Sequence, residues 1–197
     1  MVSYLRRLDE LSPLGYTAGL HIRFAKPLYF RSTYTKAWQD EYNSKQYALR
    51  DPLVFWGISK TGRTRWSEIT LPDPFGVMSK ARDHGLIHGA VVSCGKLTSR
   101  TIVGISRDDR EFTDAEMDDV AEITEGLHQV AEPPADLAED DLEALRAMQR
   151  LDEVARAADT IGISEAALRA RLSSAQARLG ATTTTEAIRM AKDYRLI

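Results

Sequence analysis

The sequence predicts an α+β protein: an N-terminal α/β/α sandwich around an antiparallel sheet, followed by a small all-α helix-turn-helix domain. Three observations predict it. Short strand segments at 16–24, 28–31, 90–93 and 101–106 are flanked by segments of helical period, the order expected of a sheet covered by helices. Glu132-Pro133-Pro134 reads as a stiff linker and a domain boundary. Beyond it, Leu137 to Ile197 is rich in alanine and mostly helical, with glycine breaks at Gly162 and Gly180. The expected organisation is therefore one domain over 1–130, a linker over 131–136 and a second domain over 137–197.

In order, Ser3 to Leu11 forms a short helix with Ser3 as its cap and Leu5, Leu8 and Leu11 as its buried stripe, stopped by Pro13 and Gly15. From Tyr16 to Phe24 the pattern alternates, with Leu20, Ile22 and Phe24 on one side and His21 and Arg23 on the other, a half-buried strand. Leu28 to Arg31 follows the break at Lys26-Pro27 as its antiparallel partner. A helix over Thr33 to Lys45, capped by Ser32, then leads to Asp51 and a less regular stretch ending at Gly62. Asp73-Pro74 opens a helix through Phe75, Val77, Met78 and Ala81, closed by Gly85. After two further strands, Thr113 and Glu116 form a capping box for a helix that carries Met117, Val120, Ile123, Leu127 and Val130.

In the second domain Gly162 ends one helix and Ser164 caps the next, in which Leu168, Leu172, Ala175 and Leu179 point inward. Arg169, Arg171, Ser173, Gln176 and Arg178 are left toward solvent. Gly180 ends that helix, and Thr183 with Glu186 caps a last one. Helices joined by a tight glycine turn, the second presenting arginines, are the pattern of a helix-turn-helix.

The bulk numbers narrow the function classes. With 197 residues, 43% hydrophobic and 28% charged, the chain reads as an ordinary globular protein. Its net charge of -3 supplies no general attraction to nucleic acid or an anionic membrane, so any such binding needs a local patch. The single cysteine, Cys94, excludes an internal disulfide and fits a reducing cytoplasm. There is no signal peptide and no apolar run of spanning length, so the expected location is cytoplasmic and no membrane partner is expected. No cofactor is expected.

The chemistry concentrates between Tyr34 and Trp66. Tyr34, Trp38 and Tyr42 recur every four residues, placing three rings with polar tips along one helix face, and Tyr47, Trp56 and Trp66 follow. Asp40 and Glu41 fall off that face into water. Asp51, held extended by Pro52, is a carboxylate set among aromatic surface, and it needs donors from indole N–H groups, tyrosine hydroxyls or a ligand amide. Aromatics at helical spacing are also what a plain core looks like. An apolar wall with a few fixed polar groups is how small-molecule sites are built. A catalytic reading is set aside, for there is no Gly-x-Ser-x-Gly elbow, P-loop or Gly-x-Gly-x-x-Gly fingerprint. His84 and His88 are separated by a glycine and lack a third ligand nearby, and Cys94 has no activating partner in view.

The run Tyr34, Trp38, Tyr42, Asp51-Pro52 and Trp66, continued by Gly85-Leu86 and His88-Gly89, resembles the ligand-binding domain of LuxR-type quorum-sensing transcription regulators. The resemblance extends through Ser106 to the C-terminal helix-turn-helix. It implies an N-acyl-homoserine lactone ligand whose lactone carbonyl meets the Trp38 indole N–H and whose amide N–H meets Asp51. Tyr34 and Ser106 would donate to the acyl carbonyl, Trp66 would pack on the lactone ring and Tyr42 would wall the acyl channel. Leu53 replaces a small polar residue of some relatives. In the second domain it implies contacts to DNA around Ser164, Arg169, Arg171 and Arg178, made by a homodimer on a near-palindromic site. Departures from the family lie at Ala147, Leu151-Asp152-Glu153, Arg156, Leu168-Arg169-Ala170-Arg171 and Thr184. Residues 137–197 hold nine Lys/Arg and ten Asp/Glu, a net of -1, which is weak for displacing counterions from phosphate. The alternative is a dimerisation module with a solvated arginine face, which would silence a related regulator by forming a heterodimer with it.

Overall fold

A computed structural model of the chain describes residues 1–23, 26–131 and 137–197. It divides into two units, Met1–Glu132 and Pro133–Ile197. The linker expected at 131–136 lies outside the described residues except for Ala131, and Phe24 lies outside them too. Among the described residues no helix is long and apolar enough to cross a membrane.

The first unit opens with α1 (Val2–Leu11), which buries Leu5 and Leu8; Ser3 lies inside the helix, and Met1 is the N-cap. There follow β1 (Tyr16–Ile22), β2 (Tyr29–Ser32) and α2 (Lys36–Ser44). Ser32 ends the strand, and it is the Thr35 side chain that accepts from the Trp38 amide and caps α2. Asp51 then does more than end a helix. It is extended, with φ -77 and ψ 119, and its side chain accepts from the Leu53 amide to cap α3 (Pro52–Ser59), where an irregular stretch was expected. The dipeptide carries both signals, an N-cap carboxylate and a proline at the first helical position.

The chain continues through β3 (Gly62–Arg65), α4 (Val77–Asp83), β4 (His88–Cys94), β5 (Arg100–Arg107) and α5 (Asp114–Val130). The α4 helix starts later than expected: Pro74 and Phe75 form a turn, and both Asp73 carboxylate oxygens accept from the Val77 and Met78 amides. The Thr113–Glu116 capping box of α5 forms as predicted.

The strands make one sheet in the order β2-β1-β5-β4-β3, antiparallel at every neighbouring pair. On one face α1 and α5 pack against Tyr16, Ala18 and Leu20 of β1, Ala90 and Val92 of β4, and Val103 and Ile105 of β5. Full burial of a leucine such as Leu8 contributes about 1.5–3 kcal/mol. Against the other face lies α3, in contact with β4 and β5, and the second aromatic cluster gathers Tyr34, Trp38, Tyr47 and Trp66 with Val77, Ala81 and Leu86.

The expected alternation of β1 breaks at His21. Its φ of 49° is in the left-handed region, and the pairing with β5 slips between Gly19 and Ile22. The slip is a bulge, and it moves Ile22 to the face opposite Leu20: Leu20 is core, whereas Ile22 lines a cavity on the far face. A left-handed non-glycine residue costs about 1–2 kcal/mol. Buried His21 offsets this through its neighbours: its amide donates to Thr101 Oγ1, its ring nitrogens lie 2.8 Å from Ser99 Oγ and the His128 carbonyl, and the ring stacks on His128.

The second unit consists of α6 (Glu139–Leu151), α7 (Val154–Thr160), α8 (Glu165–Leu179) and α9 (Thr184–Asp193). Its core is Ala144, Leu145, Met148, Ala157, Leu168, Leu172, Ala175, Leu179 and Ala187, the alanines letting the helices approach closely. Ser164 caps α8 by accepting from the Ala167 amide, and Gly180 ends it at φ 68.

Candidate functional site

The site is a cavity of about 370 Å³ between the sheet and α2, α3 and α4. Tyr34, Trp38, Tyr42, Asp51 and Trp66 all line it, so the structure brings together five of the six residues singled out in the sequence. Ser106 is the exception. It is fully buried, its hydroxyl has no hydrogen-bond partner among the described residues, and it does not line the cavity.

Asp51 is fixed from two sides. The Tyr42 hydroxyl donates to its Oδ2 at 2.7 Å and the Leu53 amide to its Oδ1 at 2.8 Å. Burial pushes its carboxyl above the ordinary carboxylate range, opposed by the Tyr42 hydroxyl and the amides of Leu53 and Val54. Tyr42 thus has a role beyond lining a channel, for it holds the carboxylate. Burial likewise raises the phenols of Tyr34 and Tyr42, so both remain donors across the physiological range.

The Tyr34 hydroxyl donates to the Gly104 carbonyl at a long 3.4 Å, which leaves it able to serve a better acceptor. Trp38 is clamped edge-on by Tyr42, with ring centroids 5.4 Å apart, and backed by Tyr47 and His84. Both of those are held by Glu41, which accepts from the Tyr47 hydroxyl and lies 2.8 Å from His84 Nε2. The expectation that Glu41 stays in water is therefore corrected: it reaches back to brace the layer behind Trp38, and the contact with His84 holds its carboxyl low.

Trp66 lies flat over Gly89, where a Cβ would fall 2.2 Å from the indole. Only glycine admits the ring there. Trp66 is 9% exposed and its Nε1 has no hydrogen-bond partner among the described residues. A buried donor left unpaired costs about 1–3 kcal/mol.

Sequence reasoning missed the α3 and sheet contributions. Leu53, Val54 and Ile58 of α3 face the cavity, as do Thr17 and Gly19 of β1, Ser32 of β2 and Ile102 and Gly104 of β5. The Asp-Pro cap could have announced α3. The sheet residues depend on strand register and on the His21 bulge, which periodicity does not encode.

A mostly apolar cavity with a buried, pinned carboxylate and nearby hydroxyl and indole donors can bind a small amphipathic molecule by its polar end. Residues 16–132 match the family described as the autoinducer binding domain. The chain belongs to this family.

An 89-residue stretch is 25% identical to the HTH-type quorum-sensing regulator RhlR of Pseudomonas aeruginosa, covering 45% of this chain and 37% of that protein. The match thus spans little more than a third of that relative's length. Among solved structures, Escherichia coli SdiA aligns at 20% identity with a TM-score of 0.56, covering 100% of this chain and 90% of that one. SdiA in complex with octanoyl-rac-glycerol aligns at 19% identity with a TM-score of 0.58, covering 98% and 88%. These likenesses concern the fold, and the autoinducer binding domain falls almost wholly in the first unit, where the cavity is.

In the second unit the arginines expected to face solvent are engaged by acids of the same unit. Arg171 meets Asp140 at 2.9 Å and Glu143 at 3.0 Å, and its side chain is 25% exposed rather than free in water. Arg178 Nε lies 3.6 Å from buried Asp141, which also accepts from Ser174, and Arg169 lies 3.5 Å from Glu165.

Proposed function

We propose that the chain is a quorum-sensing transcription regulator that binds an N-acyl-homoserine lactone in the cavity and binds DNA as a homodimer. The observation that carries the first half is Asp51: a buried carboxylate pinned by Tyr42 and Leu53 at the edge of an otherwise apolar cavity. In this reading Asp51 accepts the ligand amide N–H, the Trp38 indole donates to the lactone carbonyl, Tyr34 donates to the acyl carbonyl and Trp66 covers the ring. Ser106 acts from behind that layer, by support rather than lining. The acyl chain runs over the apolar floor and contributes about 0.8 kcal/mol per buried CH₂.

For the second unit, Gly162, the Ser164 cap and the arginines of α8 favour a helix-turn-helix whose α8 enters the major groove. One such helix reads one half-site, so the reading requires a homodimer on a near-palindrome. A second reading is favoured by the ion pairs of Arg171 and Arg178. Arginines already matched by Asp140, Glu143 and Asp141 have little left for phosphate, so the chain would act by dimerising with a related regulator and silencing it.

A thermal-shift series with acyl-homoserine lactones of graded chain length, and with octanoyl-rac-glycerol as a second head group, tests the ligand. Ligand at a hundred times Kd should stabilise the fold by about 2.7 kcal/mol. A melting temperature unmoved by every member would refute the ligand assignment. Gel shifts over a salt series test the second unit: binding that weakens steeply with salt supports the DNA reading, and none at low salt supports the silencing one.

A further inference from the structure

The sheet floor of the cavity is ordered in rows, and the rows change character along the strands. At one end Ser106 is paired with Gly89, which carries the Trp66 ring. The next row on the same face is Ser32, Thr17, Gly104 and Val91, adjacent across β2, β1, β5 and β4. The row after that is Phe30, Gly19 and Ile102. All seven residues of these two rows line the cavity. Successive rows on one face lie about 7 Å apart. Beyond the last row the cavity meets solvent at Phe30, 61% exposed, and Leu49, 66% exposed. A ligand whose head group lies under Trp66 and beside Asp51 therefore sends its chain across the Thr17 row before reaching the apolar mouth.

That middle row contains hydroxyls that nothing else in the fold employs. Ser32 Oγ is buried, borders the cavity and has no hydrogen-bond partner among the described residues. Thr17 turns its Oγ1 over Gly104, 3.3 Å from where a Cβ on that glycine would stand. The Gly104 carbonyl is the same one that receives the Tyr34 hydroxyl. Thr17 and Ser32 are thus next in line after the group assigned to the acyl carbonyl, in a position where a saturated chain would offer only CH₂ groups. Burying two hydroxyls against CH₂ is unfavourable unless a partner arrives.

We propose that Thr17 and Ser32 recognise an oxygen substituent, a keto or hydroxyl group, on the acyl chain close to its amide carbonyl. The proposal rests on the acyl-homoserine lactone reading of the cavity and narrows it to oxygenated chains. A keto oxygen accepts from either hydroxyl, and a hydroxyl substituent both accepts and donates. Chain length is left open by the exposed apolar mouth, so selection acts at the oxygen more than at the tail.

The test is calorimetric binding of matched acyl-homoserine lactones, identical in length and either plain, 3-keto or 3-hydroxy, to the full chain and to the variant Thr17→Val with Ser32→Ala. Both substitutions nearly preserve shape and remove only hydroxyls. Wild type is expected to favour an oxygenated ligand by about tenfold, the value of one net hydrogen bond. The double variant should lose that preference while binding the plain ligand at least as well. Equal binding of plain and oxygenated ligands by wild type overturns the proposal and leaves the pocket reading standing, as does a preference that survives in the double variant. Failure of every lactone to bind overturns the pocket reading and this inference with it. Asp51→Asn separates the two levels further, for it should weaken all three ligands alike.

Discussion

Asp51→Asn separates what the carboxylate does for a ligand from what it costs the fold. The side chain is 5% exposed, and burial raises its carboxyl above the ordinary range despite the Tyr42 and Leu53 donors. When a carboxyl is harder to ionise in the folded state, the native protein retains a proton that the unfolded chain has released. Stability then falls as pH rises from the ordinary carboxylate range through the raised value, and the full penalty is present above it. Asparagine does not titrate, so the ligand-free variant should be at least as stable as wild type at neutral pH, with that segment of the pH profile flattened. Binding should go the other way. A hydrogen bond to a charged acceptor contributes about 1.5–3 kcal/mol, so losing the anion should weaken a lactone by about ten- to a hundredfold. Wild-type affinity should also climb with pH across the window in which Asp51 ionises, and the variant should be flat there. Calorimetry across pH, with urea unfolding of the ligand-free proteins, measures both. Unchanged affinity, or lost affinity matched by lost ligand-free stability, refutes the reasoning.

Tyr42→Phe removes the 2.7 Å donor to the same carboxylate and should destabilise the ligand-free protein by about 1–3 kcal/mol at neutral pH. The loss should shrink below the ordinary carboxylate range, where the acid is protonated in both states; urea titrations at two pH values check this. Gly89→Ala places a methyl group where the Trp66 indole lies, and should cost about 1–3 kcal/mol together with the ligand-induced rise in melting temperature. In the second unit, Asp140→Asn with Glu143→Gln removes both acids from Arg171 and turns the -1 balance of residues 137–197 to +1. If α8 meets phosphate, gel shifts at low salt should tighten and their salt dependence steepen. No change would favour the silencing role.

What was legible in the sequence was whatever depends on neighbours along the chain. The capping box at Thr113 and Glu116, the Ser164 cap and the glycine stop at Gly180 are local signals, and each forms as read. The four-residue spacing of Tyr34, Trp38 and Tyr42 set three rings facing one cavity for the same reason. The misses are long-range or competitive. Ser32 and Thr35 are both plausible caps for α2, and pairing with β1 claims Ser32 for the sheet. Leu20 and Ile22 were expected on one side, but a bulge fixed by Thr101, Ser99 and His128 sends them to opposite faces. Glu41 looked like a solvent residue from its place on the helix wheel, yet its partners, Tyr47 and His84, come from outside α2.

The polar groups of the cavity share one property that bears on how a signal would act. Asp51 is buried at a cost in ionisation, Trp66 Nε1 and Ser32 Oγ are buried without partners among the described residues, and the Tyr34 hydroxyl makes only a long bond. A core selected for stability alone would pair these groups or replace them with apolar ones. A molecule bringing an amide N–H, carbonyl oxygens and an apolar chain relieves each of these costs at once, so its binding energy includes the cost that the ligand-free fold bears. An analogue missing one polar group should then lose more affinity than that group's own hydrogen bond is worth, because it leaves the protein's partner buried and unmatched. Discrimination by head group would therefore be steep, and discrimination by chain length, set by CH₂ burial toward an exposed mouth, gradual.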